Sequence, residues 1–145
     1  MQKIITVTSR ELLMKIARKM LFVFTCVTAA LSVLTAAYVA HQPGVDAQAL
    51  RSLQSALQMQ QFHALALLWL TWPRATFVFS RLHALAAVLW VLGVVCFSFN
   101  IELNHLVGVQ GLRVVTPWGG MAFVLGWLVL AASVWGRQSP DAVTQ

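Results

Sequence analysis

Few side chains in this sequence could do chemistry, and the best placed is a histidine inside an apolar run. His63 stands in Gln58-Met59-Gln60-Gln61-Phe62-His63-Ala64-Leu65-Ala66. Gln60 precedes it by three residues, so on a helix the two share a face, with Gln61 on the adjacent one. An imidazole here can bind haem or metal, relay a proton, hydrogen-bond a quinone carbonyl, or join two helices by a hydrogen bond. Ionisable groups within apolar spans are costly, which makes each a functional candidate by default. His41, Glu102 and His105 fall at the ends of neighbouring apolar runs, and the topology below places all four on one side. Three histidines and a carboxylate at one end of a small bundle could hold a metal or handle protons. No pair among them has the compact H-x-x-H or H-x-x-x-H spacing of a helical metal site.

The elements that must position these residues are four long apolar runs: Met20–Ala40, Leu57–Trp72, Leu82–Ile101 and Thr116–Trp135. Each is close to the ~20 residues that an α-helix needs to cross the ~30 Å hydrocarbon core of a bilayer. The second is the shortest, with a polar lead-in at Gln58–Gln61 suited to the headgroup layer. Mean hydropathy is +0.77, and charged residues make up only 10% of the chain, too few to coat a soluble domain of this size. These features predict an all-α integral membrane protein: one domain over residues 1–145, a four-helix transmembrane bundle with a short N-terminal amphipathic helix.

The formal charge of +6 raises the question of nucleic acid, and the positions of the charges answer it. Lys3, Arg10, Lys15, Arg18 and Lys19 precede the first run, Arg74 and Arg81 separate the second from the third, and Arg137 follows the fourth. Only Arg51 and Arg113 occupy the other two loops. By the positive-inside rule both termini and the loop between spans two and three are cytoplasmic. The basic excess sets orientation and touches anionic headgroups, so no nucleic-acid partner is needed. A basic start, an apolar run and the small residues Thr35-Ala36-Ala37 also resemble a secretory signal, but the run continues to Ala40 and reads as a first span.

Thr8-Ser9-Arg10-Glu11 matches a helix-starting capping box, followed by Leu12, Leu13, Ile16 and Met20 on one face and Lys15, Arg18 and Lys19 on another. Gln42-Pro43-Gly44 reads as a turn, with a weak amphipathic helix from Asp46 to Gln54 leading into span two, and Trp72-Pro73 ends that span. Thr116 and Pro117 give the fourth span its start, as N-cap and first helical residue. Gly119, Gly120 and Gly126 then form a small-residue packing strip, with Gly93 as an opposing contact. Trp72, Trp118 and Trp135 suit an interfacial belt, whereas Trp69, Trp90 and Trp127 lie deeper.

His83 lies at the cytoplasmic end of span three, in Leu82-His83-Ala84-Leu85-Ala86, a short echo of the His63 segment. A haem shared by the two would need them at similar depth, and they enter from opposite faces. Ser98, Asn100, Glu102 and Asn104 form a polar exit from span three, read as a structural network. Cys26 and Cys96 sit in different spans and form no metal motif or disulfide framework. The sequence contains no phosphate-binding loop, nucleophile elbow or redox cysteine pair.

Several of these segments together resemble the domain-of-unknown-function 423 family of small membrane proteins. Gln58–Leu68 resembles its histidine-containing second helix, and Thr116-Pro117-Trp118-Gly119-Gly120 with Phe123, Gly126 and Trp127 resembles its fourth-helix "TP-x-GG…GW" signature. Ala36-Ala37-Tyr38-Val39-Ala40-His41 looks like a degraded "GAFGAH" element, and Phe97-Ser98-Phe99-Asn100 like its "FSGS" element. The likeness runs over residues 25–135. It implies a four-span protein of the bacterial inner membrane, related to a mitochondrial branch, with no assigned activity. Ala36, Val39 and Phe99 replace family glycines, and Gln60 stands where the family has a further histidine. The chain thus resembles a divergent member that retains His41, His63, Thr116, Pro117, Gly119 and Gly120.

The function expected is non-catalytic: an accessory or assembly subunit of a larger membrane complex, respiratory complexes among the candidates, with the bilayer and either that complex or further copies of the chain as partners. The alternative is a binding or redox protein. It would hold a quinone or haem through His63, His41 and Gln60, or a metal through His41, His63, Glu102 and His105.

Overall fold

The computed structural model describes residues 9–73, 79–109 and 113–135, and the described residues are helical with no strand. α1 (Ser9–Ala40) runs unbroken through the expected amphipathic start and first span. Thr8, the proposed capping residue, lies outside the described residues. Gly44, at φ +85°, supplies the left-handed turn after α1 that a side chain would disfavour. α2 (Ala47–Thr71) begins at Asp46, whose carboxylate accepts from the Gln48 and Ala49 N–H groups at 2.8 and 3.0 Å. Those N–H groups, Ala49's first, hold the Asp46 carboxyl below its ordinary value, so the cap is lost only as pH falls through that lowered value. The weak helix and the second span of the sequence reading are therefore one element.

The third long helix, Arg81–Val107, is continuous but not uniform. It comprises α3 (Arg81–Gly93), a π-helical segment Val94–Phe99, one α-turn, α4 (Asn100–Glu102), and a second π-helical segment Leu103–Val107. Gly108, at φ +79°, ends it in the left-handed conformation. A short 3₁₀ turn, Arg113–Val115, leads into α5 (Thr116–Trp135).

α1, Arg81–Val107 and α5 are long and apolar enough to cross a membrane, which marks the chain as a membrane protein. α2 does not reach that standard, although it was expected to contain a span. Arg51, Gln54, Gln58, Gln60 and Gln61 dilute its first half, and its apolar stretch Leu57–Trp72 measures only about 24 Å along a helix.

α1 pairs chiefly with α2, and α3 with α5; α2 joins the two pairs through α3 and the first π segment. Leu67, Leu70, Ala87, Trp90, Val94 and Phe123 form the core between α2, α3 and α5. α1 contributes buried Thr25, Thr28, Ser32 and Val39 to its seam with α2. Thr25 and Ser32 return their hydroxyls to Leu21 and Ala29 carbonyls at 2.8 Å each, so small polar residues give a close helix contact without stranded donors. Outward-facing Val23, Val27, Leu34, Val124 and Leu128 remain exposed, as lipid contact requires.

The glycine strip is partly as anticipated. A Cβ on Gly119 would lie 2.6 Å from the Phe97 nitrogen and 2.8 Å from the Cys96 carbonyl carbon, so α5 abuts backbone of the first π segment. Gly126 is covered by the Trp90 indole, 2.5 Å from its would-be Cβ, and Gly93 faces the Phe123 ring at 2.3 Å. A Cβ on Gly120 would meet nothing within 4 Å among the described residues, so Gly120 is not part of that contact. Gly119→Ala must displace backbone and should lower stability by about 1–3 kcal/mol. Gly120→Ala should leave it unchanged or raise it by about 0.5–1 kcal/mol, because alanine restricts the unfolded chain. Unfolding both variants in one detergent checks the contrast, and equal losses would contradict this account of α5 packing.

Candidate functional site

α2 turns its buried face, from Leu53 to Leu70, toward the rest of the bundle and carries His63 into the core at 2% exposure. The imidazole stacks on Phe123 of α5, ring centroids 3.7 Å apart and planes 13° from parallel. Phe62, Trp90 and Trp127 complete an aromatic enclosure around it. Nδ1 lies 2.8 Å from the Met59 carbonyl oxygen one turn earlier. That oxygen only accepts, so Nδ1 carries the proton and Nε2 is the acceptor. The Trp127 indole N–H donates to Nε2 at 3.1 Å. His63 is thereby a neutral imidazole with both nitrogens engaged, joining α2 to α5.

Gln60, one turn before His63, is fully buried and donates from Nε2 to the Thr28 carbonyl of α1 at 3.2 Å. Among the described residues its Oε1 has no hydrogen-bond partner, and the same is true of buried Trp90 Nε1 and Glu102 Oε1. A buried amide oxygen without a donor costs about 1–3 kcal/mol, so these atoms are where a bound water or ligand would gain most.

His83, at the start of α3, repeats the pattern further along α5. Its Nδ1 accepts from the Ser80 backbone N–H at 3.0 Å while its own N–H bonds to Ser80 Oγ at 3.3 Å, closing a capping box with histidine in the usual glutamate position. Its Nε2 lies 3.4 Å from Ser133 Oγ of α5. Each of the two buried histidines therefore links a neighbouring helix to α5, and their partners there, Trp127 and Ser133, are only about 9 Å apart along the helix, closer in depth than entry from opposite faces suggested.

The polar exit of span three also ties helices together. Ser98 donates to the Ala56 carbonyl of α2 at 2.9 Å, Asn100 to Thr116 Oγ at 2.9 Å, and Asn104 to the Val109 carbonyl at 3.1 Å. Thr116 thus starts α5 while its hydroxyl accepts from Asn100; Pro117 follows in the first turn and is exposed. Glu102, one turn beyond Ser98, is 8% exposed.

The four metal-site candidates are not gathered. No group of three or more His, Cys, Asp or Glu side chains suited to a metal occurs among the described residues. His63 is committed to the aromatic core, Glu102 is buried in the span-three helix, and His41 is exposed at the end of α1. His105 lines a small cavity of about 180 Å³ with Ser52, Asn100, Asn104 and Thr116, and is close enough to Asp46 to act on its charge. Cys26 and Cys96 are free.

At the opposite end Arg18 holds the end of α2, donating from Nε to the Thr71 carbonyl at 3.0 Å and from Nη2 to the Trp72 carbonyl. Its guanidinium lies 5.8 Å from the centre of the Phe79 ring. A cation is well placed there, because the last carbonyls of a helix lack intrahelical donors. The charge pattern placed Arg18 near the membrane surface; nothing in the sequence marked its partners.

A family model described as a protein of unknown function, DUF423, matches residues 35–120. The chain belongs to the DUF423 family. The match covers more than half of the chain, from the end of α1 through His63 to Gly120. It stops short of Phe123 and Trp127, the two α5 residues that hold the imidazole. No curated protein and no solved structure matches the chain.

His63→Ala removes a stacked ring and an interhelical hydrogen bond together and should cost about 2–4 kcal/mol. Trp127→Phe removes the hydrogen bond and part of the indole's contact with Trp90 and should cost roughly 1–2 kcal/mol, of which the bond itself is about 1. Thermal unfolding in detergent, run as a double-mutant cycle, reads both. Strictly additive losses would mean that the two side chains do not interact.

Proposed function

We propose that this DUF423 protein is a non-catalytic accessory or assembly subunit of a larger inner-membrane complex, with four spans and both termini in the cytoplasm. The observation that carries this reading is the engagement of His63. The side chain best suited to bind a cofactor has both ring nitrogens in protein hydrogen bonds and one ring face against Phe123. Its role is to set how α2 meets α5, which is what a shape-dependent subunit needs and what a haem or metal ligand cannot have. The broad exposed apolar face of α1 supports the same reading, since it offers a long surface to lipid or to another membrane helix.

The second reading, a protein that binds a quinone or another small ligand near the outer face, draws on the unpartnered Oε1 atoms of Gln60 and Glu102. Both need a donor, which the quinol form of a quinone or another hydroxyl-bearing ligand would supply. Gentle extraction from native membranes, followed by native electrophoresis and mass spectrometry, separates the two. The subunit reading predicts a stoichiometric larger partner and lower complex abundance in His63→Ala. Migration of the protein alone, with a chromophore, metal or quinone that is lost in Gln60→Leu, would replace it with the binding reading.

A further inference from the structure

Two grooves lie end to end along one side of the α1–α2 seam, and their chemistry changes from basic to apolar on the way into the bilayer. The first, about 490 Å³, is bordered by Lys15, Lys19 and Phe22 of α1, by Arg18, whose guanidinium holds the end of α2, and by Thr71 and Pro73. The second, about 350 Å³ and mostly apolar, is bordered by Cys26, Ala29 and Val33 of α1 with Thr25 and Ser32 at its base, and by Ala64, Leu65 and Leu68 of α2 with Gln61 at its outer end. On α1 the residues Lys15, Lys19, Phe22, Cys26, Ala29 and Val33 follow one another at three- and four-residue steps, so they form a single stripe. That stripe runs beside the buried one made by Thr25, Thr28 and Ser32.

We infer that this double groove is a binding site for one anionic phospholipid of the leaflet that the basic end of α1 faces. Three features fit that occupant. Lys15 and Lys19 are both exposed and one turn apart, and among the described residues no acidic side chain borders their groove. Glu11 borders a different groove, with Lys15, Arg18 and Arg81. Two ammonium groups on one helix face, about 6 Å apart along the axis and on flexible stems, can converge on a single phosphate, and such basic pockets between membrane helices favour anionic headgroups. The length also fits: Lys19 to Val33 covers about 21 Å along the helix, and one leaflet from headgroup to chain end is about 20–22 Å thick. The level fits as well. Phe22 and Trp72 meet edge to face at 5.8 Å beside the lysines, an aromatic pair at the height where ring side chains mark the membrane surface. A free phosphate would use the lysines alone and leave the apolar groove unexplained. A lipid uses both.

The test is native mass spectrometry of the full-length protein after reconstitution into vesicles of equal parts phosphatidylglycerol and phosphatidylcholine. The site predicts one retained phosphatidylglycerol per chain, preferred over phosphatidylcholine and resistant to excess inorganic phosphate. Replacing both lysines (Lys15→Ala, Lys19→Ala) should lower retention about thirtyfold, at roughly a tenfold loss per 1.4 kcal/mol. Ala29→Phe, which fills the apolar groove and leaves the lysines intact, should lower it as well. Both changes lie on the groove face outside the core, and unaltered melting of the lipid-free variants verifies that. Undiminished retention in the lysine variant would overturn the proposal. Full retention in Ala29→Phe, or displacement by inorganic phosphate, would reduce the site to an anion contact and overturn it equally.

Discussion

A buried imidazole in a membrane bundle has to place two ring nitrogens where water cannot reach them, and the arrangement of this chain follows from how His63 does so. One nitrogen returns its proton to its own helix, and the other takes a proton from Trp127. The rest of the core is consistent with that bond. Phe123 must lie one turn before Trp127 to stack on the ring, Gly93 must leave room for Phe123, and Gly126 must leave room for Trp90, which closes the enclosure. A larger residue at either glycine would push α5 away from α3 and lengthen the bond to His63.

The same demand for internal partners explains why so many polar side chains lie along the seams. In hydrocarbon, a polar group without a partner is penalised, so Thr25, Ser32, Ser98 and Asn100 bond to a carbonyl or hydroxyl within reach. The π-helical stretches of span three belong to this scheme. They place Ser98 against α2 and bring the backbone at Cys96 and Phe97 against Gly119. The unpartnered oxygens of Gln60 and Glu102 are exceptions, and both lie among the residues that the sequence marked as candidates.

Much of this was legible in the sequence, and what was hidden had physical causes. The long apolar runs, the turn at Gly44, the start of α5 at Thr116 and the family itself follow from composition and local pattern. The packing roles of Gly119 and Gly126 were also readable as small-residue spacing. Gly120 was not separable from them, because spacing does not show which side of a helix meets a neighbour. The metal quartet assumed that residues at one end of the bundle converge. Helix order and rotation decide that, and they turn His63 and Glu102 inward while leaving His41 exposed. The His63–Trp127 pair joins residues 64 positions apart, which periodicity cannot reveal. The π-helical segments have no residue signature at all. For α2 the difficulty is one of degree: its apolar stretch is short, and its glutamines serve an interhelical contact as readily as a headgroup layer.

The central claim is that His63 is a neutral structural link between α2 and α5. Nitrogen-15 NMR of histidine-labelled protein in micelles, with His63→Ala to assign the signal, tests it directly. The account predicts a single tautomer with the proton on Nδ1 and a hydrogen-bonded, unprotonated Nε2. Neither signal should shift when divalent metal, haem or a soluble quinone is added, and Trp127→Phe should alter Nε2 alone. A proton on Nε2, or a ring signal that shifts with one of those ligands, would contradict it.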